Sequence, residues 1–350
     1  MGFAHSESLQ ASTDFKVEIA ERRSAPVSSR TINLYCPVNG ERTRQSVTVG
    51  RPIRFDDIVV AVVNETSSPP SRELNWPNGL RGVARLAYHA MGDAKSRFTP
   101  ALRYSSPVFD ARRVEPNNIS HLLLECIPMV LFAKEVLGAN VVPVFGKVRN
   151  PFASFLEEFG IDAICTSKRI QGPIVHIRGS RNLQFYDLPG VIDCAATSFF
   201  PDIYDRFSFP NENCPSKIYL ARRGVRSVLN NKEVERIVRA RGYETIYMED
   251  YSIREQLSMA QHAKHVVAVH GAAMALLAVN RGVDSLVEIF PPHVYHEHFA
   301  IGLPRVKSYA VLLSEFDCAV ANCGWSVIHA LKDAAFTVDL EMLERALDEI

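Results

Sequence analysis

The sequence predicts an α/β protein with two Rossmann-like domains facing a cleft. From about residue 118, short β-branched runs alternate with helix-forming segments. That rhythm demands a parallel sheet covered by helices on both faces. The alternation occurs twice, before and after an irregular stretch at 181–215 that is rich in aromatics, Pro and Asn and reads as an interdomain connection. A chain of 350 residues has room for two ordinary domains.

Residues 1–30 are polar and aperiodic and read as a flexible N-terminus. Residues 31–205 read as an N-terminal Rossmann-like domain. It opens on short β-rich pieces broken by turn signals such as Pro37-Val38-Asn39-Gly40, with a buried strand from Asp57 to Val63. Asn118 to Gly138 has the three- and four-residue spacing of a helix, and Pro128 is predicted to kink or restart it. Asn140 to Phe145 follows as a strand. Pro151 to Gly160 is a helix with Pro in its first turn and Gly past its end. Ile161 to Thr166 and Ile174 to Ile177 complete the series as short strands.

Residues 206–335 read as a C-terminal Rossmann-like domain and 336–350 as a closing helix. Lys217 to Ala221 is a strand, and Asn231 to Arg241 a helix stopped by Gly242. After a strand from Tyr243 to Met248, Ser252 and Glu255 form a capping-box signature for a helix to Ala263. His265 to Val269 is a strand, Ala273 to Asn280 a helix, and Ser285 to Phe290 a strand ending at Pro291-Pro292.

Composition narrows the function. Apolar residues make up 47% and charged residues 22%, as in soluble globular proteins. Lysine plus arginine equal aspartate plus glutamate at 39 each, so no basic field points to nucleic acid. Seven cysteines without a CxxC pair argue against a secreted disulfide framework and for a reducing cytoplasm. Cys126 and Cys165, set in apolar runs, read as buried thiols. The longest apolar run, Val266 to Val279, is broken by His270-Gly271 and is too short to span a bilayer, leaving at most peripheral membrane contact.

The strongest chemical signal is Val266-Val267-Ala268-Val269-His270-Gly271-Ala272. A buried strand stopping at His-Gly-Ala and leading into a helix gathers free backbone N–H groups at the carboxyl edge of a sheet, where anions settle. His270 is expected to add a donor beside Gly271 and Ala272. Lys217 to Arg223 is a strand delivering Arg222 and Arg223 to its end. Adjacent residues of extended chain diverge, so one should face the cleft and the other a salt bridge. Guanidinium is the natural clamp for a diphosphate. Glu288, an acid inside the apolar strand Ser285 to Phe290, needs a partner: a sugar hydroxyl, a backbone N–H or an ion pair. His121 and Glu125 stand at i and i+4 on one helix face, which suits either a structural pair or a general base. His293, His296 and His298 around Glu297 read as a cleft-lining loop rather than a metal site, and no metal is expected.

In order, these elements resemble family 61 glycosyltransferases. Asn118-Ile119-Ser120-His121 through Glu125 and Pro128 is similar to that family's Asn-x-x-His helix, and Lys217 to Arg223 to its strand ending in two arginines. The helix after Asn230-Asn231, the Ser252 to Ala263 helix, the His265 to Ala273 strand and turn, and Val287 to Pro291 follow in sequence. The resemblance covers roughly 115–300, with Ser120 and Leu122 standing where aromatics are common. It implies a GT-B-like architecture and inverting, metal-independent transfer from a nucleotide sugar, taken as UDP-linked, to a hydroxyl of a glycan acceptor. No separate cofactor is implied. It further implies donor contacts from Asn118, Arg222, Arg223, His270, Gly271, Ala272 and Glu288, with His121 and Glu125 as the catalytic pair. A role in bacterial surface polysaccharide synthesis at the inner face of the membrane fits that setting. Two alternatives are a nucleotide-sugar-modifying enzyme of the epimerase type and a non-catalytic α/β binding protein.

Overall fold

The computed structural model describes residues 16–21, 30–38, 41–49, 58–67, 100–112, 116–179, 197, 200–210, 214–291, 298–314 and 334–350. In chain order the strands are β1 (Lys16–Glu21), β2 (Arg30–Val38), β3 (Glu41–Val49), β4 (Ile58–Ser67), β5 (Leu102–Arg103), β6 (Val108–Asp110) and β7 (Val142–Phe145). They continue as β8 (Ile164–Cys165), β9 (Ile170–Gly179), β10 (Lys217–Leu220), β11 (Glu244–Ile246), β12 (His265–Val269), β13 (Val283–Phe290) and β14 (Val306–Leu313). The α-helices are α1 (Ile119–His121), α2 (Ile127–Leu137), α3 (Phe152–Glu158), α4 (Asn231–Ala240), α5 (Ile253–His262), α6 (His298–Gly302) and α7 (Leu340–Glu349).

Two sheets organise these strands. The first runs β1-β4-β9-β6-β7-β8, with β5 also beside β9; β6, β7 and β8 are parallel, while β4 pairs antiparallel with β1 and β9. The second runs β11-β10-β12-β13-β14-β2-β3, parallel throughout except for the β2–β3 hairpin. Among its strands β10 to β14 the order is two-one-three-four-five, a doubly wound pattern. Helices cover both faces: Val234 and Val238 of α4 pack with Tyr219 and Val267, whereas Leu257 and Ala260 of α5 join the cluster on the opposite face.

The ladders divide the chain differently from the sequence reading at its N-terminal side. Residues 16–21, read as flexible, form β1 on β4, with Val17 and Ile19 giving the two-residue alternation in a strand too short to stand out. Residues 31–38 and 41–49, assigned to the N-terminal domain, lie in β2 and β3 of the C-terminal sheet, because β14 would otherwise be an open parallel edge. Strand β14 was not anticipated at all. Cys165 is exposed rather than buried, since β8 is an edge strand, while Cys126 is buried as expected.

One apolar cluster joins the two sheets. It runs from Phe109 and Val175 through Leu122, Ile127 and Phe132 to Leu220, Ala268 and Leu286. The segment carrying His121 is therefore held between the sheets. The predicted kink at Pro128 takes the form of a π-helical turn, Leu122–Cys126, between α1 and α2. Ile127 N–H reaches back five residues to the Leu122 carbonyl. In that register Pro128, having no N–H, leaves the Leu123 carbonyl without its helical donor. The buried Tyr204 hydroxyl donates to that carbonyl at 2.6 Å. Turns of this type recur at functional sites.

Among the described residues no helix is long and apolar enough to cross a membrane.

Candidate active site

The site lies where the winding of the second sheet reverses. Strands β10 and β12 are neighbours, but the chain leaves one toward β11 and the other toward β13. Loops at the carboxyl ends of such a strand pair diverge and leave a crevice, the usual ligand position in open α/β sheets. Arg222 follows β10 and His270-Gly271 follow β12, so both flank this point.

Arg222 and the glycine turn are in direct contact. Arg222 Nη1 donates to the His270 carbonyl at 3.0 Å and its Nε to the Val225 carbonyl at 2.8 Å. Gly271 has φ 168° and ψ 171°, an extended conformation open to any residue. The space there is taken by a side chain: a Cβ would lie 1.8 Å from Arg222 Nη1, which would have to move. Gly271, expected to contact the donor, makes room for the guanidinium that is suited to meet one. The following Ala272–Val279 segment is a 3₁₀ helix rather than an α-helix.

The two arginines diverge as their adjacency predicts. Arg223 is turned outward, forms a bidentate pair with Asp250 at 2.6 and 2.9 Å, and lies 3.9 Å over the Tyr247 ring. Arg226, which the sequence analysis passed over, adopts φ 59°, a left-handed conformation rare for a residue with a side chain. Its charge and that of Arg222 both act on His270. Its only sequence signal was its place, two residues after Gly224 in the same loop.

His270 is 3% exposed and Glu288 1%. His270 Nδ1 donates to Glu288 Oε1 at 2.6 Å, and the Tyr309 hydroxyl donates to Glu288 Oε2. Glu288 thus meets side-chain donors from within the protein at both oxygens. The His270 ring stacks on Phe290 at 4.4 Å. Burial, then the charges of Arg226 and Arg222, push its pKa down to about 3. A neutral His270 with its Nδ1 proton committed to Glu288 presents Nε2 as an acceptor, not the donor expected from sequence.

His121 reaches the same place from the first sheet. Its Nδ1 lies 2.9 Å from Glu125 Oε1, the i,i+4 pairing expected from the sequence. Asn118 is the N-cap of this helix: its Oδ1 accepts from Ser120 N–H at 2.9 Å. That capping bond gives it a structural task. Asn117 ties the same helix start to the loop after β7, donating to the Lys147 carbonyl and accepting from Arg149 N–H.

His298 was grouped in sequence with His293 and His296, which lie outside the described residues. It sits on α6 with Nε2 2.7 Å from Ser120 Oγ. Its ring is 6.2 Å from that of His121 and 5.1 Å from Phe299, which in turn lies 5.7 Å from His270. A continuous line of rings therefore links the two candidate histidines. Among the described residues no group of three or more His, Cys, Asp or Glu side chains could hold a metal.

No curated protein sequence matches the chain. Weakly similar solved structures include two of TibC. One is the dodecameric iron-containing heptosyltransferase TibC in complex with ADP-D-beta-D-heptose, at 10% identity and TM-score 0.36, covering 83% of this chain and 78% of that one. The other is TibC from enterotoxigenic E. coli H10407, at 9% identity and TM-score 0.34, covering 81% and 79%. The Glycosyltransferase 61 family model matches residues 88–280, a span that takes in the His121 helix, both arginines and the His270 turn. The chain belongs to the glycosyltransferase 61 family.

Proposed function

We propose that this transferase moves a sugar from a nucleoside-diphosphate donor, UDP-linked in our reading, to a hydroxyl of a glycan acceptor, with inversion and without a resident metal. The observation that carries this reading is the contact of Arg222 with the His270-Gly271 turn at the reversal between β10 and β12, beside the helix bearing His121. A permanent positive charge at a sheet crevice suits a diphosphate. Arg222, with Arg226 in the same loop, neutralises the negative charge that develops on the departing nucleotide, aided by the Gly271 and Ala272 amides. Arg223, held by Asp250, contributes from the rim.

The Glu125 carboxylate accepts the Nδ1 proton of His121 and leaves Nε2 to take the proton of the acceptor hydroxyl. The acceptor oxygen forms a bond to the anomeric carbon as the bond from that carbon to the diphosphate oxygen breaks, and the electron pair leaves with the nucleotide. In-line displacement places the base opposite the leaving group, consistent with His121 lying on the helix that follows β6 of the first sheet and Arg222 in the loop after β10 of the second. His270, held by Glu288, accepts a hydrogen bond from a donor hydroxyl. The arrangement is read as GT-B-like, with the donor held mainly by the C-terminal domain. The cellular role proposed is surface polysaccharide synthesis, in the cytoplasm or at the inner membrane face.

The test is a panel of nucleotide sugars. The matching donor should raise the melting temperature, because it binds the native state alone. With a glycan acceptor it should release nucleoside diphosphate. Epimerised donor without transfer would instead support the sugar-modifying alternative.

A further inference from the structure

We infer that His298 is a positioning residue that couples the acceptor side of the site to the donor side. The inference rests on the role proposed above for His121. His298 belongs to α6, a short helix whose carboxyl end is fixed at several points. Arg30 Nη1 donates to the Leu303 carbonyl at 3.0 Å and the Ala300 carbonyl at 3.5 Å, and the Thr197 hydroxyl donates to the Gly302 carbonyl at 2.7 Å. Phe299, the next residue, is buried against His270. From this anchored platform, His298 Nε2 meets the buried Ser120 hydroxyl one residue before His121.

Ser120 is doubly constrained, since its N–H is also held by the Asn118 side chain. The π-helical turn that begins at Leu122 interrupts the regular helix just beyond His121, and Asn117 ties that helical start to the loop after β7. The Ser120–His298 bond adds a tie from the same turn to α6. It fixes the first turn, and with it the His121 imidazole, against the segment whose Phe299 packs on His270. A displacement of about 1 Å at a reacting group costs on the order of 100-fold in rate, so one bond at this position governs turnover while leaving donor contacts intact.

The experiment is steady-state kinetics on full-length His298→Ala, His298→Gln, Ser120→Ala and the Ser120→Ala/His298→Ala pair, with the melting temperature measured for each. Loss of the bond should lower kcat roughly 10- to 100-fold at unchanged donor KM. The double variant should be no slower than the worse single one. His298→Gln, whose amide reaches the same hydroxyl, should recover most of kcat. Should His298→Ala not fold, Ser120→Ala and His298→Gln carry the test. Wild-type kcat in Ser120→Ala, or a His298→Gln variant as slow as Ser120→Ala, overturns the inference. A wild-type protein that releases no nucleoside diphosphate from any nucleotide sugar overturns the proposed function and this inference together. Unchanged variants of an active enzyme overturn this one alone.

Discussion

Replacing Gly271 by alanine isolates the arginine clamp from the stability of the fold. The added methyl would sit 1.8 Å from Arg222 Nη1 and 3.1 Å from its Cζ, while the nearest backbone atom, the Val269 carbonyl oxygen, is 3.8 Å away. The Gly271 backbone is extended, so alanine introduces no dihedral strain. The clash therefore falls on the tip of a flexible side chain, which swings aside and gives up its bond to the His270 carbonyl. Folding should be little affected, with the melting temperature close to wild type. Donor binding should suffer, because the guanidinium no longer rests at the crevice. A hydrogen bond to a charged group contributes about 1.5–3 kcal/mol, which corresponds to a loss of donor affinity of roughly 10- to 150-fold. Calorimetric titration with the nucleoside diphosphate reads this directly. Arg222→Ala should show a loss of the same order, and the two substitutions combined should add little. Undiminished affinity in Gly271→Ala would refute the placement of the diphosphate at Arg222.

Four further outcomes are expected. His121→Ala should lower kcat by on the order of 10²- to 10⁴-fold, the usual range for a general base, with donor affinity unchanged; a loss of affinity at constant kcat would contradict the base assignment. Arg223→Ala should leave the melting temperature unchanged and weaken donor binding far less than Arg222→Ala, since Arg223 is 53% exposed in its pair with Asp250. Tyr204→Phe should destabilise the protein by about 1–3 kcal/mol in denaturant unfolding, because it strands the buried Leu123 carbonyl. His270 gives a pH signature: its folded pKa of about 3 lies below the ordinary 6.5, so the unfolded chain takes up a proton on acidification before the native one does. Stability should thus fall as pH drops from 6.5 toward 3, and His270→Gln should flatten that dependence.

Much of the second sheet was legible because its signals are local. Ser252 and Glu255 form the capping box that their spacing announces, and β12 ends at Val269 as the His-Gly turn requires. The β2–β3 hairpin was misplaced because pairing with β14 joins residues more than 270 positions apart, as in Ala310 with Asn33, and nothing in either segment names its partner. The role of Glu288 was left divided for the same reason: Tyr309, which settles it, comes from a strand the periodicity did not reveal. His298 was read as part of a cleft-lining loop with His293 and His296, and its partner, Ser120, lies 178 residues away. The kink at Pro128 was legible, but its π-helical form depends on the donor that Tyr204 brings to Leu123.

Strand alternation explains why these particular side chains meet. In the second sheet Ile218, Leu220, Val266, Ala268, Leu286 and Phe290 pack into the cluster shared with the first sheet, while Tyr219, Val267, Val287 and Ile289 pack into the cluster on the other face. A two-residue period sends even positions of these strands inward, toward the His121 helix. Arg222, His270 and Glu288 continue that even series at or near the ends of β10, β12 and β13, and Arg223 is the odd member that turns outward. Neighbouring strands then bring three residues spread over 67 positions of sequence to one side of the sheet. A one-residue slip of β10 against β12 would exchange the roles of Arg222 and Arg223. The paired register of Leu220 with Ala268, fixed by burial on both faces, is what makes Arg222 the arginine that meets the glycine turn.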